Sequence, residues 1–283
     1  LDHVNVYVID EGDSWTIIDT GFWSKKTQSI WSDIKEKWFS DKPIGKVIVT
    51  HHHPDHVGLA GWFQTEFKAE LWMSRTAWLM ARMLRLDYQK LPTEETINFW
   101  RRAGMDDLIL NERATGKPFN FGDSVHEMPL GFRRIIDGEK IILGNRSWIV
   151  RVGNGHAPEH LTLWCEDEPI VIAGDQIISS ISPNLGVYAT EPEADPVQEW
   201  LMSCEAFLPF SNDKQLVLPG HKLPFYGLPH RLKQLIENHH SALKRLVAFL
   251  KEPQTAVDCF PVLFNRKISD NEYGLALVEA VAH

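Results

Sequence analysis

The sequence predicts an α/β fold built in layers, with sheet at its centre. Three observations carry that reading. Short β-rich apolar segments alternate with longer stretches of helical spacing. The 283 residues are 43% hydrophobic, with eleven Trp and fourteen Phe, enough for a large core without staples. Side chains able to bind metal stand just after the apolar segments, where strands end.

In chain order, Val4 to Ile9 is β-rich and runs into the turn former Glu11-Gly12-Asp13. A second strand, Trp15 to Ile18, follows and stops at Asp19-Thr20-Gly21, so the pair predicts a hairpin. Residues 25 to 38 place Ile30, Trp31, Ile34 and Trp38 at helical spacing. Lys46 to Thr50 is a short apolar strand, and a helix from about Gly58 carries Leu59, Trp62, Phe63 and Phe67. From about Ser74 to Asp123 the pattern changes to helical periodicity, in Ala77 to Leu86 and Glu94 to Ala103, followed by a polar stretch with Gly and Pro. This segment, 74–123, predicts a helical insertion rather than a new domain, because strands resume at Ser147 to Val152, Leu161 to Cys165 and Ile170 to Ala173. A helix over Pro196 to Phe207, a strand over Gln215 to Leu218 and a helical tail from Pro229 complete the pattern. The expected division is a catalytic domain over 1–228 and a helical C-terminal module over 229–283.

The net charge of −9 argues against a broad nucleic-acid surface, and no apolar run reaches the roughly 20 residues of a membrane span. The expected partner is a small-molecule substrate, with no nucleic acid and no membrane; a homodimer is an assembly open to such a fold. Cys165, Cys204 and Cys259 lie far apart and read as reduced, which points to the cytoplasm. The chain opens on Leu1 rather than Met, so an upstream piece is expected.

The strongest chemical signal is Thr50-His51-His52-His53-Pro54-Asp55-His56, which contains H-x-H-x-D-H. Residues two apart in an extended segment point the same way, so His51 and His53 can face one metal. Asp55 and His56 follow where the chain turns into a helix and can address a second. A lone loop histidine is usually no ligand, but four ligand-type side chains at this spacing after an apolar strand are specific. Three weaker signals join it: Gly155-His156, Gly174-Asp175 after the strand ending at Ala173, and Pro219-Gly220-His221.

In that order these motifs, with Asp19-Thr20-Gly21, resemble the metallo-β-lactamase superfamily over nearly the whole chain. The helical tail is similar to that of its hydroxyacylglutathione-hydrolase-like branch. The resemblance implies an αββα sandwich with metals at one edge of two packed sheets. It also implies that His51, His53 and His156 hold one ion, that Asp55, His56 and His221 hold another, and that Asp175 bridges them. Asp19 is then expected to orient a ligand from behind. The implied cofactors are two divalent metal ions, zinc first, with iron or manganese also suited to this donor set.

Such a site hydrolyses an ester-like small molecule, a thioester, lactone or other ester, by a hydroxide bridging the two ions, with Asp55 also moving protons. The alternative is a mononuclear iron persulfide dioxygenase, which shares the first motif. His53 stands where diiron flavoproteins usually carry glutamate, and Gln176, Ile177 and Ile178 follow Asp175 where acyl-homoserine lactonases carry a tyrosine shortly after the bridging aspartate. Glu159 departs from the common Gly-His-x-Pro-Gly-His pattern. The insertion residues Trp78, Leu79, Met80, Met83, Leu84 and Leu86 suit either a roof over the site or core packing. Asn184, Tyr188 and Tyr226 are near the motifs and read either as carbonyl-polarising or as structural.

Overall fold

The computed structural model describes residues 3–39, 41–264 and 266–283. Leu1, the start of the expected catalytic domain, lies outside the described residues. The chain begins with the antiparallel hairpin β1 (Tyr7–Asp10) and β2 (Trp15–Ile18), and Gly12 takes the left-handed conformation that the turn needs. Helix α1 (Lys25–Trp38) starts at Ser24, whose hydroxyl accepts the Thr27 N–H, and ends with Lys35 and Lys37 against the negative end of its dipole. Strand β3 (Ile44–Ile48) leads to the single turn α2 (Pro54–Val57), then α3 (Ala60–Phe67) and β4 (Glu70–Met73). The helix expected from Gly58 is thus preceded by a separate turn, with Pro54 at its first position.

The insertion forms α4 (Arg75–Leu86), α5 (Glu94–Arg102) and α6 (Asp107–Thr115). Five strands follow: β5 (Arg133–Arg134), β6 (Lys140–Leu143), β7 (Arg146–Gly153), β8 (His160–Cys165) and β9 (Ile170–Gly174). Helix α7 (Pro196–Phe207) precedes β10 (Leu216–Pro219), and α8 (Leu228–Phe249), α9 (Phe260–Phe264) and α10 (Tyr273–Ala282) close the chain.

The strands make two sheets, ordered β1-β2-β3-β4-β5 and β10-β9-β8-β7-β6. Alternation along each strand sorts its residues between layers. In β2 and β3, Ile17 and Val47 pack outward with Trp31 and Phe63 of the helices, while Ile18 and Ile48 face the other sheet. In β8, β9 and β10, Trp164, Val171, Ala173 and Val217 pack on Trp200, Cys204 and Leu232 of α7 and α8. Leu161, Leu163 and Ile172 face inward and meet Ile18 and Ile48 between the sheets. The result is a mixed α/β fold, helix–sheet–sheet–helix, as the sequence pattern requires. Each fully buried Leu or Ile between the sheets contributes about 1.5–3 kcal/mol.

A fourth cluster joins Met105 and Leu110 of the insertion to Leu246, Cys259, Phe260 and Leu277 of the C-terminal helices. The insertion therefore divides. Trp78 and Leu84 of α4 pack on the first sheet's outer core, whereas α5 and α6 pack with the tail. Cys165, Cys204 and Cys259 are free thiols, the last two buried. Among the described residues no helix is long and apolar enough to cross a membrane.

Parallel pairing of β2, β3 and β4 in one sheet, and of β9 and β10 in the other, brings carboxyl ends of strands together. Loops leaving such ends are where open α/β sheets place ligands. Here those loops carry His51 to His56, Asp175 and His221.

Candidate metal centre

The first sheet supplies four of the seven clustered side chains. His51 is fully buried after β3, His53 sits at the start of α2 in extended backbone, and Asp55 and His56 are carried by α2. Behind them Asp19 works as a hub. One carboxylate oxygen accepts the Thr50 N–H at 2.8 Å; the other accepts the Thr50 hydroxyl at 2.8 Å and pairs with His56 Nδ1 at 2.8 Å. The Thr50 hydroxyl has then spent its hydrogen and accepts from His51 Nδ1 at 3.0 Å. Both imidazoles so fixed aim Nε2 at the interior. Asp19 adopts φ 61°, a left-handed conformation that aspartate tolerates better than most residues.

The second sheet supplies the other three. His156 comes from the loop between β7 and β8, and its Nδ1 lies 2.9 Å from the main-chain oxygen of Asn184. His221 follows β10, with Nδ1 2.6 Å from the main-chain oxygen of His3. Asp175 follows β9; its N–H donates to His160 Nε2 at 3.1 Å. Gly220 is obligatory in this packing: a Cβ there would overlap Asp175 Oδ1 and lie 2.8 Å from His56 Cε1.

The atoms converge. His51, His53 and His156 offer nitrogens within 4.8 Å of one another; a carboxylate oxygen of Asp55 and nitrogens of His56 and His221 lie equally close; and His51, His56 and Asp175 form an overlapping third group. Asp175 Oδ2 lies 3.4 Å from His56 Nε2, 3.6 Å from His156 Nε2 and 3.3 Å from His221 Nε2, between the two histidine sets. Asp55 Oδ2 is 3.1 Å from His221 Nε2. His51 Nε2, His56 Nε2, His156 Nε2 and Asp175 Oδ1 are buried without a protein hydrogen-bond partner. Each unpaired buried atom costs roughly 1–3 kcal/mol, and divalent cations satisfy all four at once. The donor set fits the ions that the sequence implies.

Electrostatics divide the donor set: two imidazoles are held neutral, and two are held with protons that a cation would displace. Burial and the surrounding imidazoles hold His51 and His53 well below the usual histidine range, so their nitrogens are neutral donors. Burial pushes His56 the same way, but Asp175 and Asp19 outweigh it and hold His56 well above that range. His221 likewise resists burial through Asp175 and Asp55 and is raised to about 9. Against the upward push of burial, His56 and His221 hold Asp175 well below the usual carboxylate range.

Other residues near the motifs take different places. His160 is fully buried behind the cluster, stacked on His51 with ring centroids 4.5 Å apart. His52 is buried beside His53 and outside the three groups. The Asn184 side chain points away, bonded to Glu279, so it polarises nothing at the cluster. Tyr188 and Tyr226 are half-exposed or more. Glu159 adopts φ 49°, the left-handed conformation glycine would supply, and its carboxylate accepts the Thr76 N–H at 2.7 Å. The departure from glycine thus keeps the loop backbone and ties it to the start of α4. On α4, Leu79, Met83 and Leu86 are exposed.

The orienting roles of the His3 and Asn184 carbonyls have no signature in residue type, and the sequence reading missed them. Thr50 was visible inside the first motif, where a hydroxyl beside a ligand histidine is the signal.

A layered fold of two sheets between helices, with seven ligand-type side chains at its strand ends, defines a metallo-β-lactamase-type protein. The family model for the metallo-β-lactamase superfamily matches residues 1–221, and the chain belongs to that superfamily. The model for the metallo-β-lactamase-like C-terminal domain matches residues 243–283. The chain is 25% identical over 291 residues to the probable metallo-hydrolase YqjP of Bacillus subtilis, covering 99% of this chain and 86% of that one. It is similar to the crystal structure of a β-lactamase domain protein from Burkholderia ambifaria, with 32% identity and a TM-score of 0.89 over 100% of this chain and 81% of that one. A metallo-β-lactamase family protein from Thermus thermophilus shares the fold at 24% identity and a TM-score of 0.74, over 99% and 86% of the two chains.

Proposed function

We propose that this chain is a dinuclear metal-dependent hydrolase acting on a small ester-like molecule: a thioester, a lactone or another ester. The observation that carries the reading is the convergence of buried, unpartnered Nε2 and carboxylate atoms on one point between the sheets. His51, His53 and His156 would hold one divalent ion, and Asp55, His56 and His221 the other, with Asp175 between them. When bound, the two ions supply Lewis acidity toward a substrate oxygen and a water acidic near neutral pH. The name of the Bacillus subtilis relative supports hydrolysis, and the match over residues 243–283 supports a C-terminal module of the metallo-β-lactamase-like kind.

The chain's own residues do the rest. Asp19 and Thr50 fix the tautomers of His56 and His51, so that no imidazole must reorient during turnover. Asp55 is the most open carboxylate of the cluster, its side chain 20% exposed against 7% for Asp175 and 3% for Asp19. It is therefore the group that can take a proton from the nucleophile and pass it to the leaving group or to solvent. The buried walls of His51, His56 and Asp175 exclude bulk water and strengthen the field at the reacting atoms.

The test compares hydrolysis of a thioester, a lactone and an aryl ester by chelated and metal-reconstituted protein. Reconstitution should restore turnover of at least one of them. Asp55→Ala should lower kcat by about 10²–10⁴-fold, with the fold retained by circular dichroism. Unchanged turnover in that variant would remove Asp55 from proton transfer.

A further inference from the structure

We propose that Glu279, on the last helix of the C-terminal module, is a positioning residue for the metal centre, acting on His156 through Asn184. This rests on the reading of His156 as a metal ligand. His156 Nδ1 is oriented by the main-chain oxygen of Asn184, 2.9 Å away. That oxygen belongs to residues 182–188, which form neither helix nor strand, so its direction depends on tertiary anchors.

The anchors come from α8 and α10. The guanidinium of Arg231 on α8 donates to the carbonyls of Ile178 and Ile181, both at 2.7 Å. Val187 N–H donates to the Val278 carbonyl at 3.1 Å. The Asn184 amide nitrogen donates to Glu279 Oε2 at 2.7 Å and to the Leu275 carbonyl at 3.3 Å. Asn184 is thus held at both ends: its side chain grips α10 while its carbonyl grips His156. Leu185 and Val187, beside it, are buried and carry the segment into the core.

Glu279 is the acidic side chain among these anchors, as Arg231 is the basic one. Its neighbours Ala276, Leu277, Val278 and Ala280 are buried apolar residues of α10. Burial pushes its carboxyl up to about 7, against the hydrogen bond from Asn184 and the charge of Arg266. A partly buried carboxyl on an otherwise apolar helix is costly and is kept in place by a specific partner. Here the partner is the amide of Asn184, one residue's length from a ligand histidine. The tail is therefore part of what sets the direction of His156 Nε2, and a loose tail gives a loose ligand.

The experiment is a zinc titration of chelated protein in competition with a chromophoric chelator, which reads each binding step without any turnover. Glu279→Ala should weaken one of two steps about 10-fold and leave the other within about 2-fold, the size typical of losing a ligand's supporting bond. Glu279→Gln keeps an acceptor oxygen for the Asn184 amide and should stay near the unmodified protein. Asn184→Ala keeps the main-chain carbonyl but releases α10; it should copy Glu279→Ala, and the double variant should add nothing further. Leu263→Ala, in the same C-terminal core but on α9, controls for general loosening.

Two steps in the unmodified protein, with both of them unmoved by Glu279→Ala and by Asn184→Ala, would overturn the proposal. So would Leu263→Ala weakening the same step as strongly. Absence of zinc binding in the unmodified protein would instead overturn the metal reading on which the proposal stands.

Discussion

The two halves of the metal centre are held by different means. In the half from the first sheet, side chains orient side chains: Asp19 and Thr50 fix His51 and His56, and all four lie in two short stretches. In the half from the second sheet, main-chain oxygens of remote segments do the work. Asn184 orients His156 across 28 residues of sequence, and His3 orients His221 across 218. A side-chain hub is compact and fails when one residue is lost. A main-chain carbonyl remains when its own residue is substituted, and loses its direction when whatever anchors its segment fails, its own side chain included. The second half is therefore coupled to the ends of the chain, and the first is not.

The largest effect is expected at the hub. Asp19→Ala leaves the Thr50 N–H and hydroxyl and His56 Nδ1 buried without an acceptor, which should cost about 3–5 kcal/mol and weaken both zinc steps. Chemical denaturation and metal titration read the two consequences. A loss confined to one step would show that Asp19 supports one of the two histidines and not both.

Gly220→Ala strikes the seam between the halves, since the new methyl group overlaps Asp175 Oδ1. About 1–3 kcal/mol of destabilisation is expected, as for overpacking, together with loss of one equivalent of metal. Elemental analysis beside a melting curve checks both. Full occupancy would mean that Asp175 can move aside freely.

The tail-anchored half should also carry a pH dependence from outside the site. The Glu279 carboxyl is raised in the folded chain from the ordinary 4.5 to about 7. Its contribution is fully present below pH 4.5 and is lost as pH rises through 7. Glu279→Gln abolishes that titration. In chelator, the stability of the variant relative to the unmodified protein should therefore rise by about 1–3 kcal/mol between pH 4.5 and 8. A difference independent of pH would show that the carboxyl is solvated after all.

The smallest effect concerns the amino-terminal segment. Asn5 donates from its amide to the Pro219 and Lys222 carbonyls at 2.9 and 2.7 Å, straddling His221. Asn5→Ala should cost about 1 kcal/mol. It should weaken the zinc step that His221 serves and spare the other; equal weakening of both steps would blur the comparison.

The same contrast governs what the sequence could show. The first half was legible because its ligand-type side chains sit two residues apart or side by side in one short segment, where local chain geometry brings them together. Likewise, the hairpin at Trp15–Ile18 and the helix at Lys25–Trp38 have enough apolar periodicity to be read directly. Three strands escaped notice. Glu70–Met73 and Lys140–Leu143 bury two side chains each, too few to establish a period, and Arg133–Arg134 buries neither. Helix Asp107–Thr115 buries only Leu110 and reads as polar. The insertion's attachment to the tail was equally hidden, since Met105 and Leu110 give no sign of which core they enter. Above all, no residue type announces that its carbonyl will orient a histidine more than 200 residues away.

The most direct test of the account is the metal content of the protein purified without added metal, measured together with oxygen uptake. The account expects about two equivalents of divalent metal per chain and no oxygen consumption on turnover. One equivalent of iron, with oxygen consumed on a persulfide substrate, would contradict it and make the cluster a mononuclear dioxygenase centre.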